Sequence, residues 1–154
     1  MGDLTISVTM TGGEGFLRAD AAEIVRRIGN ALALQAAQAV IDAATPNVPV
    51  DTGYLKSSGS ASPTSDGAIA QYDAPYASAV EYGTPPHTPP LDALEGWAQR
   101  HGIPAFLVQR AIKERGTRAQ PYFNPAVAVV NDQLPALAAD AATELRAALL
   151  GGSS

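Results

Sequence analysis

Cysteine is absent from this 154-residue chain, which excludes disulfides and thiolate metal sites and fits assembly in a reducing compartment. Histidine is nearly absent. His87 and His101 are the only imidazoles, one flanked by prolines and the other near an expected helix end, positions that suit surface residues better than a general base or metal ligand. Charged residues make up only 16% of the chain and aromatics 6%, with Trp97 the one tryptophan. No apolar run approaches the ~18 residues that cross a bilayer, and the first residues lack the basic start and apolar stretch of a secretory leader. The expectation is a protein that contacts no membrane and is not secreted by that route. A Gly-x-Ser-x-Gly elbow and a phosphate-cradling glycine loop are missing too. Ser57, Ser58, Ser60 and Ser62 read as hairpin residues rather than nucleophiles. No catalytic, cofactor or metal site is expected.

What is present is a 46% hydrophobic composition dominated by alanine. Alanine-rich helices bury little area each, so stability is expected to depend partly on neighbouring molecules. The net charge of −5 argues against a general nucleic-acid binder, which neutralises phosphates with Lys and Arg. The charge is unevenly spread, however. Arg100, Arg110, Lys113, Arg115 and Arg118 stand against Glu114 alone, and this basic stretch reads either as a solvated helix face or as a contact to an acidic neighbouring subunit or to passing DNA.

Leu4 to Met10 alternates apolar and polar residues as a half-buried strand does, and Thr11-Gly12-Gly13 breaks it. Asp20 to Glu23 has the form of a capping box, after which Ile24, Ile28, Ala31, Leu32, Ala36, Ala39 and Ala43 recur at helical spacing. This predicts a helix from about Asp20 to Ala44, with Gly29-Asn30 its weak point. Pro49 and Gly53 bracket a turn in which the Asp51 carboxylate can accept a backbone N–H two residues on. Leu55–Ser62 and Ala68–Asp73, with a tip at Pro63–Gly67, then read as a β-hairpin. Its small polar residues make weak strands, more credible if they pair with another subunit's sheet.

Pro75-Tyr76 opens a short helix ended by Gly83. Glu81 lies in its last turn, where a carboxylate opposes the helix dipole, so a compensating partner is expected: an Arg, or backbone N–H groups of the Asp51–Gly53 turn or of an adjacent subunit. Thr84 to Pro90 is a stiff proline connector. Leu91, Leu94, Trp97 and Ala98 mark one face of a helix that stops at Gly102, with Trp97 expected in the core. Pro104 begins another helix, carrying Phe106 or Leu107, Arg110, Ala111 and Arg115, which Gly116 ends. Asn124-Pro125 is a helix start, with Asn as cap. Val127, Val130, Leu134, Leu137, Ala141, Leu145 and Ala148 then form a packing seam, within which Pro135 should kink or split the helix.

Three motifs stand in a fixed order: Pro49-Val50-Asp51-Thr52-Gly53-Tyr54-Leu55, then Tyr76-Ala77 to Val80-Glu81-Tyr82-Gly83-Thr84, then Gln120-Pro121-Tyr122-Phe123-Asn124-Pro125-Ala126. This order, over about residues 20 to 130, resembles the small neck and tail-completion proteins of long non-contractile-tailed phages and prophages, also called minor tail or head–tail joining proteins. The Trp97 helix and the Gly102 and Gly116 turns resemble the variable middle segment found in part of that family. The resemblance implies a structural virion protein rather than an enzyme, assembled in the bacterial host cytoplasm. It would form a homo-oligomeric ring at the head–tail junction, six-fold before twelve-fold. Its partners would be the connector or head-closure proteins and the tail terminator or tail tube, with DNA passing through without sequence-specific binding. The acidic net charge would suit such a channel.

The expected architecture is α+β: a long N-terminal helix and a C-terminal helix packed on a small antiparallel β-sheet with a hairpin, plus short middle helices. Residues 1–150 are read as one neck/tail-completion domain and 151–154 as a flexible tail. In it Pro49, Asp51, Thr52, Gly53 and Leu55 would shape the turn, and Tyr76, Ala77, Glu81, Gly83 and Thr84 would place the short helix. Pro121, Tyr122, Phe123 and Pro125 would seat the last helix. Two other readings compete. Asp51-Thr52-Gly53 is the tripeptide of aspartic proteases, in which two carboxylates meet across a dimer and share a proton. Here it follows an expected helix rather than an apolar strand, and bulky Tyr54 comes next. The other is a protein-binding adaptor unrelated to virions, separable by stoichiometry because a closed ring needs two different complementary patches.

Overall fold

The computed structural model of the protein describes residues 4–9 and 19–151. The expected break at Thr11–Gly13 and most of the expected tail lie outside the described residues, as does the Asp20 side chain with its expected cap. The architecture is α+β, with helices packed on a three-stranded antiparallel sheet. Strand β1 (Leu4–Thr9) precedes helix α1 (Ala19–Ala44), and a single 3₁₀ turn at Thr45–Asn47 follows. Then come α2 (Tyr54–Ser57), β2 (Gly59–Thr64), β3 (Gly67–Tyr72) and α3 (Ala77–Tyr82), and finally α4 (Leu91–Arg100), α5 (Ala105–Arg115) and α6 (Phe123–Gly151).

The sheet order is β1-β3-β2, so β3 is central and buried at Ala68, Ala70 and Tyr72. Leu4 pairs with Tyr72 and Ile6 with Ala70 on one side, and Gly59 pairs with Tyr72 on the other. Helix α1 covers this sheet with Ala33, Ala36, Ala37, Val40, Ile41 and Ala44, and α6 adds Phe123, Ala126 and Val130 to the same core. Alanines let the α1 backbone approach the sheet closely, leaving room for Tyr72, Tyr122 and Phe123. The Tyr72 ring meets the Tyr122 and Phe123 rings edge-on, with centroids 5.1 and 6.0 Å away, a favoured aromatic geometry. Thr45 Oγ1 donates to the Ile41 carbonyl at 2.6 Å, so its lone pair accepts the Tyr72 hydroxyl at 3.1 Å.

Several local expectations change. Ile28 and Ala36 are buried as expected, but the stripe continues through Ala33, Ala37, Val40 and Ala44, whereas Ala31 is exposed and Leu32, Ala39 and Ala43 are only half-buried. With alanines all round the helix, apolar periodicity has too little contrast to fix the angle. The helix is unbroken at Gly29-Asn30, where Asn30 Nδ2 reaches the Ser65 carbonyl at the hairpin tip at 3.5 Å. The strand expected from Leu55 begins at Gly59 instead, because Tyr54–Ser57 forms a helical turn. Ser57 and Ser58 hydroxyls donate back to the Tyr54 and Leu55 carbonyls at 3.0 and 2.8 Å, a local competition with extended structure. Helix α6 is continuous through Pro135 rather than split, with that proline on its exposed side. Its seam from Val127 to Ala148 is buried or half-buried and packs against α1. In α5 the packed residues are Ala105, Val108, Gln109 and Ile112, while Phe106, Leu107 and Ala111 are exposed.

Candidate functional site

The Pro49–Leu55 turn, α3, α4 and the Thr117–Gln120 segment enclose a cleft of about 860 Å³. Its walls include Val50, Tyr54, Tyr76, Val80, Leu94 and Trp97, with Asp51, Asp92, Arg100 and His101 adding charged or titratable groups. The turn is set by Gly53, at φ +84°, and by Thr52 Oγ1, which accepts the Tyr54 N–H at 3.4 Å. Asp51 plays no such part. Its carboxylate is held by Arg100, whose Nε donates to both carboxylate oxygens at 3.1 Å while Nη2 also bonds one of them. Arg100, read either as part of a solvated helix face or as a contact to a subunit or DNA, is engaged within the chain.

Bidentate Arg–carboxylate pairing is directional and charge-assisted. The Arg100 guanidinium holds the Asp51 carboxyl below its ordinary 3.8, and nearby His101 adds a smaller push in the same direction. Sequence spacing missed this pair because 49 positions separate its members. Trp97 is not in the core. It is 38% exposed on the cleft wall, stacked on His101 with centroids 3.9 Å apart. His101 Nδ1 lies 2.9 Å from the Trp97 carbonyl. A carbonyl only accepts, so Nδ1 carries the proton. Tyr54 and Tyr76 face one another across the rim at 6.3 Å, both largely exposed.

Beneath the cleft lies Glu81, 1% exposed and the one buried acidic residue among those described. Its Oε2 accepts the Tyr122 and Phe123 N–H groups at 2.7 and 2.9 Å, and Oε1 accepts that of Asn124 at 2.9 Å. These are the donors that the first turn of a helix leaves without intrahelical partners. A carboxylate there also lies at the positive end of the helix dipole. Glu81 thus opposes the dipole of α3 but caps α6. The expectation of backbone N–H partners was right in kind, while their location is the N-terminus of α6 rather than the Asp51–Gly53 turn. Asn124, expected as the α6 cap, lies inside the helix and donates its side-chain amide to the Tyr82 hydroxyl at 3.2 Å.

Residues 85–115 form an arm in which α4 and α5 pack chiefly on each other. The arm leaves and rejoins the body through an isolated antiparallel bridge between Thr84 and Thr117. Each backbone N–H donates to the other's carbonyl, at 3.2 and 3.0 Å, and the two hydroxyls are 2.9 Å apart. Gln120 N–H donates to the Val80 carbonyl at 2.8 Å, continuing the seam toward Glu81. Across the cleft, Asp51–Arg100 ties the end of α4 back to the turn.

The structure therefore gathers Asp51, Thr52, Gly53, Leu55, Tyr76 and Arg100 at the cleft, and Glu81, Tyr122 and Phe123 below it. Ala77 is buried in the core, while Pro121 and Pro125 are exposed at the start of α6. Arg110, Lys113, Arg115 and Arg118 are exposed on and just after α5, with Arg110 Nε 3.2 Å from Glu114. Among the described residues no group of three or more His, Asp or Glu is placed to hold a metal ion, and no helix is long and apolar enough to cross a membrane. No family model, curated protein or solved structure matches the chain.

Proposed function

We propose that the chain is a structural subunit of a tailed-phage virion, forming a ring at the head–tail junction that joins the connector to the tail tube and leaves a channel for DNA. The observation that carries this reading is the convergence of the three ordered motifs. The first forms the turn on the cleft wall, the second contributes Tyr76 and Val80 beside it, and Glu81 of the second caps the helix that the third begins. Motifs separated by tens of residues meet as one unit, as expected where they jointly define a domain type. Asp51 argues against the protease alternative: a catalytic dyad needs two carboxylates sharing a proton, and here an arginine holds one carboxylate ionised.

The mechanism would be mechanical. Ring subunits close the junction, with connector or head-closure proteins on one side and the tail terminator or tail tube on the other, six-fold symmetry preferred over twelve-fold. An adaptor outside the virion would draw on the same exposed aromatic cleft, and stoichiometry separates the two. The test is the mass of the purified protein in solution, then negative-stain imaging alone and with tail tubes or connector-bearing heads. Rings, or a monomer that becomes a ring on those partners, support the virion reading. A stable two-fold dimer indifferent to both would remove it.

A further inference from the structure

Helix α5 buries no side chain fully. Its packed face is Ala105, Val108, Gln109 and Ile112, and the opposite face presents Phe106, 60% exposed, and Leu107, 43% exposed, beside Arg110 and Lys113. Ile103, just before the helix, is exposed as well. From Arg110 to Arg118 there are four bases and one acid, Glu114. An exposed Phe and Leu beside Arg110, Lys113 and the Glu114 that pairs with Arg110 have the anatomy of a protein interface, since phosphate binding alone gives no reason to expose Phe and Leu there.

The complementary surface is on α6. Helical spacing puts Val129, Asp132, Ala136, Asp140 and Ala147 on the side turned away from the α1 seam, and all five are exposed. Glu144 flanks this face. Asp132, Asp140 and Glu144 make no side-chain hydrogen bond or ion pair among the described residues, and one arginine, Arg146, accompanies them. The small side chains of Ala136 and Ala147 would admit the Phe106 and Leu107 knobs, while the carboxylates meet Lys113 and Arg110, the latter shared with Glu114 of its own helix.

We propose that the apolar and basic face of α5 docks on the outward acidic face of α6 in a second copy of this chain. The two faces lie on different elements, so the contact can repeat head-to-tail and close a ring or propagate a filament, whereas a two-fold dimer would make the same α5–α6 contact twice and stop at two copies. The inference deepens the ring reading above and rests on it for self-association; the interface itself is argued from the complementary faces.

The cysteine-free sequence makes a clean test. Full-length Leu107→Cys and Ala136→Cys proteins are mixed under mild oxidation, and the doubly substituted protein is oxidised separately, alone and on tail tubes. The mixture should give a cross-linked pair and the double variant a ladder. In sedimentation, Arg110→Glu/Lys113→Glu and Asp132→Lys/Asp140→Lys should each weaken self-association about tenfold or more, and mixing the two reversed proteins should restore it. Rings that form unchanged by either reversal, without the cross-link, would overturn this interface and leave the ring reading standing. A protein that stays monomeric alone and on tail tubes would remove both. Reversals at Arg110 and Lys113 that reduce retention of a duplex DNA oligonucleotide, with self-association untouched, would overturn the proposal in favour of a nucleic-acid face.

Discussion

Gly83 and Gly116 hold the two ends of the arm against one another. Both have positive φ, +69° and +72°, and each faces the other strand of the Thr84–Thr117 bridge. A Cβ on Gly83 would lie 2.5 Å from the Thr117 carbonyl oxygen, and one on Gly116 would overlap the Thr84 carbonyl. Either substitution therefore meets backbone, which cannot move aside without opening the bridge. Gly116→Ala should cost about 2 kcal/mol or more from left-handed strain and the clash together, read by urea unfolding. Gly102→Ala, also at positive φ (+66°) but with nothing near its Cβ direction, should cost only about 1–2 kcal/mol. Equal losses would refute the tight crossing.

Glu81 is expected to be the most sensitive polar position. Glu81→Ala leaves the Tyr122 and Phe123 N–H donors buried without an acceptor and should destabilise by about 3 kcal/mol or more. Glu81→Gln retains a carbonyl acceptor but loses the charge and one acceptor oxygen, and should lose about 1–3 kcal/mol. Thermal unfolding of both variants checks the order, and an unchanged Gln variant would show that the negative charge contributes nothing.

The Asp51–Arg100 pair predicts a pH-dependent cleft. Because the folded-state pKa of Asp51 is lowered, its contribution is present above the unfolded value near 3.8 and is lost as pH falls through the lower folded value. Trp97 fluorescence should report release of the α4 end in wild type at low pH or high salt, and in Asp51→Asn at neutral pH. A variant with wild-type fluorescence throughout would show that the pair does not hold the arm.

Tyr122 and Tyr72 should respond oppositely to loss of a hydroxyl. The Tyr122 hydroxyl is buried without a hydrogen-bond partner among the described residues, so Tyr122→Phe should be neutral or stabilising by about 1 kcal/mol. Tyr72→Phe removes the bond to Thr45 and should cost about 1 kcal/mol. Burial pushes both phenols up. The unfolded chain therefore ionises first, and stability that is full below pH 10 should decline as pH rises beyond it. Tyr122→Phe should flatten that alkaline decline; a steeper one would contradict the assignment.

The long helices and central strand were legible because their signals are local. The Val127–Ala148 seam lies where its spacing predicts, β1 alternates from Leu4 to Ser7 as its pattern does, and Gly53 and Gly83 occupy the positive-φ positions that their turns required. The cleft was legible only as separate motifs. Trp97 was expected in the core because its helical spacing matches Ala98 and Leu94, but the arm has too little mass around it to bury both.

Apart from the helical turn at Tyr54–Ser57, sequence by itself determined which segments coil, which extend and which must turn, since propensity, periodicity and glycine stereochemistry act over a few residues. Tertiary structure alone decided that Glu81 caps α6, that Asp51 is paired with Arg100 instead of its own turn, and which face of alanine-rich α1 meets the sheet. Those outcomes depend on burial and on donors brought close by the fold. A carboxylate has the same chemistry at every address, and its partner is chosen by what remains unsatisfied within about 3 Å of it.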